Sequence, residues 1–194
     1  MSSLQIDPVP RLIFRIALGC LFACAAAHKL RDRSAFAAAM RAYDLAPAGW
    51  IVPLAGVLTI VEAGIGLSLW FGSSRFPAYA AVLLLSFYAA AIALNLIRGH
   101  RDIDCGCAVG LRRQSLSYGL VIRNAVLMLV GVVSGLPVAP RPLHLVDALT
   151  VTAGVITSIF LYAAVDGLLA QWSPAVRSAA AIGWNGLERG KGHA

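Results

Sequence analysis

The sequence predicts an all-α fold, a polytopic membrane helical bundle with about five transmembrane helices. Of the 194 residues, 59% are hydrophobic and only 13% are charged, too little charge to coat a soluble domain of this size. Mean hydropathy is +0.78. Apolar runs recur near the ~20 residues that a helix needs to cross a bilayer. The length allows one domain, read as an amino-terminal tail (1–10), a transmembrane domain (11–170) and a polar carboxyl-terminal tail (171–194).

The first span is expected over Leu12 to Ala27, after an Asp7-Pro8-Val9-Pro10 stretch that blocks helix on its amino side. Arg11 and Arg15 in its first turns can snorkel to headgroups. Met1 to Pro10 lacks the basic n-region of a signal peptide, so the run is expected to be retained. After His28-Lys29-Leu30-Arg31, the spacing of Phe36, Met40 and Tyr43 predicts an interfacial helix over 34–43, ended by Pro47. The second span runs from Trp50 to Phe71 with Trp50 and Trp70 as anchors. The third, Pro77 to Ile97, opens on a proline in its first turn, where the missing N–H costs nothing. The fourth covers Ser117 to Leu136 and the fifth Leu145 to Leu169.

The net charge of +7 falls in the gaps between apolar runs, where lipid headgroups attract it. No basic stripe interleaved with aromatics occurs, so nucleic acid is not an expected partner, whereas membrane lipid is. Five spans place the first loop, the third loop and the tail on one face. That face carries Lys29, Arg31, Arg33, Arg41, Arg98, Arg101, Arg112, Arg113, Arg177, Arg189 and Lys191. The opposite face carries Arg11, Arg15, Arg75 and Arg141. The positive-inside rule puts the first face in the cytoplasm.

The third loop contains Asp104-Cys105-Gly106-Cys107. Two thiols one residue apart bond only through a tight turn, for which glycine gives the freedom. Such a disulfide is strained, and strained accessible disulfides exchange readily. Two other readings stay open. The pair forms half of a zinc site, although no second pair has ligand spacing and no metal is expected, or the cysteines are inert loop residues. Cys20 and Cys24 share one face of the first span. They read as small packing residues, or as a second thiol pair relaying electrons across the membrane.

Polar residues inside spans are expensive and face the bundle interior. Glu62 lies in the middle of the second span, Asn95 near the end of the third, and Arg123-Asn124 at the start of the fourth. With His28 and Lys29 they gather toward the face that bears the motif. A pairing of Glu62 with Arg123 or Lys29 lowers its burial cost. Asp147 and Asp166 read as interfacial or structural.

Taken together, Ala26-Ala27-His28-Lys29, Tyr43-Asp44-Leu45-Ala46-Pro47, Glu62 with Gly64 and Gly66, Asn95, Asp104-Cys105-Gly106-Cys107 and Arg123-Asn124 resemble the MauE family. This is a branch of the DoxX-like membrane proteins, and the resemblance covers about residues 11–170. Ala108-Val109 departs from it, where the family often has an aromatic after the second cysteine. The resemblance implies a DoxX-like four-helix core in the inner (cytoplasmic) membrane and a role in methylamine utilisation. It implies maturation of the disulfide-rich beta subunit of periplasmic methylamine dehydrogenase, with a thioredoxin-like MauD-type partner. On that reading Cys105 and Cys107 exchange disulfides, most simply from a periplasmic face, and Glu62, Asn95 and Arg123 support them. The alternative is that reducing equivalents come from the cytoplasm by way of Cys20 and Cys24. Electrons pass to or from the thioredoxin-like partner or a quinone held between helices. A non-catalytic assembly or export scaffold, and a small transporter centred on Glu62, are the alternatives.

Overall fold

The computed structural model describes residues 5–100, 103 and 116–171. Cys105 and Cys107 therefore lie outside the described residues, as does the tail beyond Gln171. The described residues form six α-helices: α1 (Pro8–Arg31), α2 (Arg33–Ala42), α3 (Ile51–Phe71), α4 (Phe76–Ile97), α5 (Tyr118–Ser134) and α6 (Leu145–Gln171). A single 3₁₀ turn, Ala48–Trp50, leads into α3.

Four helices, α1, α4, α6 and α3 with its leading turn, are long and apolar enough to cross a membrane. With 17 residues, α5 measures about 25 Å at 1.5 Å per residue, just short of a typical hydrocarbon core. α2 is the short amphipathic helix expected between the first two spans.

α1 starts earlier than the sequence suggested. Asp7 caps it by accepting from the Val9 N–H (2.8 Å), and Pro8 and Pro10 fall within the first turn. The first-turn N–H groups have no helical partner, so prolines there begin the helix instead of blocking it. Ile6 also pairs with the α5–α6 loop: its N–H donates to Pro137 O, and Ala139 N–H donates to Ile6 O, both at 3.0 Å.

α1 is the central helix, packed on α3, α5 and α6, while α4 lies against α5. The main core joins Leu18 and Phe22 of α1 to Ile65 and Leu69 of α3 and to Ala78, Ala81, Leu84 and Leu85 of α4. A second cluster, Ile92, Leu96, Leu116 and Leu120, gathers at the motif-bearing end, with Tyr43, Ile103 and Leu169 packed on it. α6 is the least enclosed span, and most of its apolar side chains face outward.

Two arginines do something the sequence did not foretell. Arg15 turns inward, 5% exposed, and donates to the carbonyls of Leu69 (2.7 Å), Ser74 (2.9 Å), Ser68 (3.2 Å) and Gly72. The last turn of a helix leaves its C=O groups unpaired, and one guanidinium with five donors satisfies the end of α3. Arg11 does the same on a smaller scale, bonding to Ser134 O at the end of α5 (3.1 Å).

Candidate functional site

Lys29, near the end of α1, points into the bundle toward Glu62 of α3. The ammonium and the Glu62 Oε1 are hydrogen-bonded and ion-paired, and their side chains are 3% and 2% exposed. Tyr88 of α4 also donates to Oε1 at 2.7 Å. Lys29 Nζ lies 4.7 Å from the ring centroid of Phe36 and 4.9 Å from that of Tyr88. A lysine in so apolar a place keeps its charge only if something replaces its water. A carboxylate and two aromatic faces supply that replacement.

Of the two partners open to Glu62, the structure selects Lys29. Arg123 instead pairs with Asp166 of α6, and its guanidinium carbon sits 5.7 Å from the Tyr162 ring centroid. Asp166 is thus a buried partner inside the bundle. The sequence carried a signal for it: Tyr162 and Asp166 are four apart and share one face of a helix. Tyr88 and Phe36 were missed because an aromatic in an apolar run gives no sign that it touches a charge.

The two ion pairs meet at a small chamber of about 50 Å³, lined by Glu62, Tyr88, Arg123, Asn124 and Tyr162 with apolar side chains from α1. Glu62 Oε2 and Asn124 Nδ2 are buried there with no hydrogen-bond partner among the described residues. Native structures rarely leave such groups unmatched, since each unmade bond costs about 1–3 kcal/mol.

Asn95 is fully buried but belongs elsewhere. Its Nδ2 donates back to Ala91 O (3.1 Å), and its Oδ1 lies 3.4 Å from His100 Nδ1. The His100 N–H donates to Asn95 O at 3.0 Å. Asn95 therefore shapes the exit of α4 toward the motif loop, and Gly99, at φ 82°, completes that exit. His28 is exposed and makes none of these side-chain contacts. Cys20 and Cys24 are free thiols, Cys24 on the outer surface of α1.

At the base of the motif loop, Leu116 N–H donates to Ile103 O at 3.2 Å. Both side chains pack into the apolar cluster at this end of the bundle. Ile103 and Leu116 are thereby held to α4, α5 and the end of α2. Among the described residues, no group of three or more His, Cys, Asp or Glu could hold a metal ion.

The family model for the methylamine utilisation protein MauE matches residues 8–137. A methylamine utilization protein MauE from Paracoccus denitrificans is 36% identical over 167 residues, covering 84% of this chain and 88% of that protein. One from Methylorubrum extorquens is 35% identical over 167 residues, covering 84% and 90%. One from Methylophilus methylotrophus is 30% identical over 171 residues, covering 86% and 89%. No solved structure matches.

Proposed function

The chain belongs to the MauE family, and from that premise we propose that it is a membrane maturation factor for methylamine utilisation, working by thiol–disulfide exchange. Its client is the disulfide-rich beta subunit of methylamine dehydrogenase, and its redox partner is a thioredoxin-like protein of the MauD type. It resides in the inner membrane with the motif facing the periplasm, where an exported client can be reached.

The observation that carries this reading is the fastened base of the motif loop. Cys105 is two positions from Ile103, whose carbonyl is held by Leu116. A thiol pair must meet a partner's disulfide in line, and Ile103 and Leu116, which flank the motif segment in sequence, are both held to the bundle. The chemistry is thiolate attack on a disulfide sulfur, a mixed disulfide, and its resolution by the second thiol. One thiol pair is oxidised as one disulfide is reduced, so no further oxidant enters the step.

Replacing both Cys105 and Cys107 with serine is expected to reduce maturation of the client to background while the protein still inserts and folds. Of the two single serine variants, the one that keeps the attacking thiol and lacks the resolving one should trap a mixed disulfide visible on non-reducing gels, which assigns the order of Cys105 and Cys107. Normal client maturation by the double variant would sink the exchange reading and leave an assembly scaffold. Lys29→Met combined with Glu62→Leu, which removes both buried charges together and keeps both thiols, separates off a transporter: transport centred on that carboxylate is lost while exchange persists.

The side is tested with a membrane-impermeant maleimide on intact cells. Labelling of Cys105 or Cys107 only after reduction is expected. Labelling that requires lysis would put the motif in the cytoplasm, as the charge count favours, and would overturn direct exchange with an exported client.

A further inference from the structure

Glu62 and Asn124 line the same chamber of about 50 Å³. Glu62 Oε2 is an acceptor and Asn124 Nδ2 a donor, and neither has a hydrogen-bond partner among the described residues. They therefore do not bond to each other, although as donor and acceptor they match. Glu62 is 1% exposed and Asn124 3%, and Glu62 lies in the middle of α3, so bulk water reaches neither. Leaving both unmatched at this depth is expensive. An occupant of the chamber has to offer a donor to one and an acceptor to the other.

Charge and size narrow the choice of occupant. Lys29 balances Glu62, and Asp166 balances Arg123, so the side chains around the chamber carry no net charge. An ion of either sign would sit in the apolar interior without a counter-charge. A hydrocarbon chain from the surrounding lipid offers neither a donor nor an acceptor. The occupant is neutral, small and able to donate and accept at once, which describes water. One water needs about 10–15 Å³ of such space and at least two polar partners. Both conditions are met.

We propose that the chamber is a site for ordered water, at least one molecule donating to Glu62 Oε2 and accepting from Asn124 Nδ2. The bridge joins two helices that the packing leaves apart, since α5 packs on α4 and α1 with no comparable interface on α3. It thereby holds α5, which follows the motif segment, to α3, which carries Glu62. The site does not depend on the thiol chemistry proposed above.

The test uses nuclear magnetic resonance on the full chain in deuterated detergent micelles, isotope-labelled at the side-chain nitrogen of its three asparagines, Asn95, Asn124 and Asn185. The amide signal that Asn124→Leu removes belongs to Asn124. A cross-peak from that amide to the water resonance is expected, opposite in sign to the diagonal in the rotating frame. That sign marks contact with a long-lived water and not proton exchange with solvent. The peak should survive in Tyr88→Phe, which removes a hydroxyl on Glu62 that would otherwise relay it. It should also survive in Cys105→Ser/Cys107→Ser, so failure of the exchange reading is seen separately. Ala25 lines the chamber from α1, and Ala25→Leu should weaken the peak about fivefold or more, with an unmoved Asn95 signal as the check on folding. Asn124→Leu should lower the unfolding midpoint of the wild type, and less than half as much in Lys29→Met/Glu62→Leu, where the acceptor is gone. A wild-type Asn124 amide without the cross-peak would overturn the site, and coupling retained without it would mean that the two side chains bond directly. Equal midpoint shifts in the two backgrounds, or a full-strength peak in Ala25→Leu, would overturn the bridge as well.

Discussion

An ammonium at the position of Lys29 has given up nearly all its water, and that cost decides what substitutions do. Removing one member of a buried pair leaves the other charge uncompensated, which typically costs about 3–5 kcal/mol. Lys29→Met should therefore destabilise the protein by about that amount in thermal unfolding in detergent. Lys29→Met combined with Glu62→Leu should recover most of the loss, because both charges then leave the apolar interior together. Losses that simply add in the double variant would mean the pair is not coupled. The sequence made Glu62 conspicuous as a carboxylate in the middle of an apolar span, and offered two cations for it. It could not choose between them, since the choice depends on how α1 and α3 cross and on the Tyr88 hydroxyl that α4 brings to Oε1. Arg15 was misjudged for a related reason. Near a helix start it has a short route to headgroups, yet the unpaired carbonyls at the end of α3 lie closer still.

Where α1 crosses α3, two glycines let the backbones approach. A Cβ on Gly66 would stand 3.1 Å from both Ala23 N and Gly19 O, and one on Gly19 would meet the Trp70 ring at 2.5 Å. Trp70 is therefore more than an interfacial anchor: its Nε1–H donates to Ile16 O at 3.3 Å and its ring covers Gly19. Gly64, two positions earlier, has open space around it. Gly66→Leu should therefore cost about 1–3 kcal/mol or more through forced separation of the helices, whereas Gly64→Leu should stay within about 0.5 kcal/mol. Unfolding midpoints of the two variants check the contrast, and equal effects would show that the crossing does not depend on Gly66. Helix existence was legible from apolar run length, and every expected span is a helix in the structure. Which glycine serves packing was not legible, because the helical phase of α3 was not: Gly64 and Gly66 lie about 200° apart around the helix, and only one of them can face α1.

The two ends of the bundle are built differently. At the motif end the loop base is fastened and buried charges lie beneath it. At the other end Arg11 and Arg15 cap helices, and Arg141 joins the amino terminus to the α5–α6 loop. Of the basic residues counted by face, Arg11, Arg15, Lys29 and Arg141 thus have partners within the molecule and carry little weight in a count of topological charge. The remaining bias still favours a cytoplasmic motif face, so labelling from outside the cell carries the decision on orientation. The Arg141 junction is open to a pH test. Its Nε donates to Asp7 Oδ2 at 2.8 Å and its Nη2 to Asp7 Oδ1 at 3.1 Å, while Nη1 and Nη2 reach Asp147 at 2.9 Å. The Arg141 guanidinium first, and the Val9 N–H second, hold the Asp7 carboxyl below its ordinary value of 3.8. A carboxylate held low in the folded state adds stability that is complete above its unfolded pKa and is lost as pH falls through the folded one. The Ile6 and Ala139 amides, which join the terminus to the loop, should stay protected from hydrogen exchange between about pH 5 and 7 and lose protection on the acid side of 3.8. Asp7→Asn should lower their protection across the whole range and flatten its dependence on pH, and added salt should weaken the wild-type effect because the junction is exposed. If acid left the wild-type amides as protected as they are at neutral pH, the backbone bridge alone would be holding this end closed.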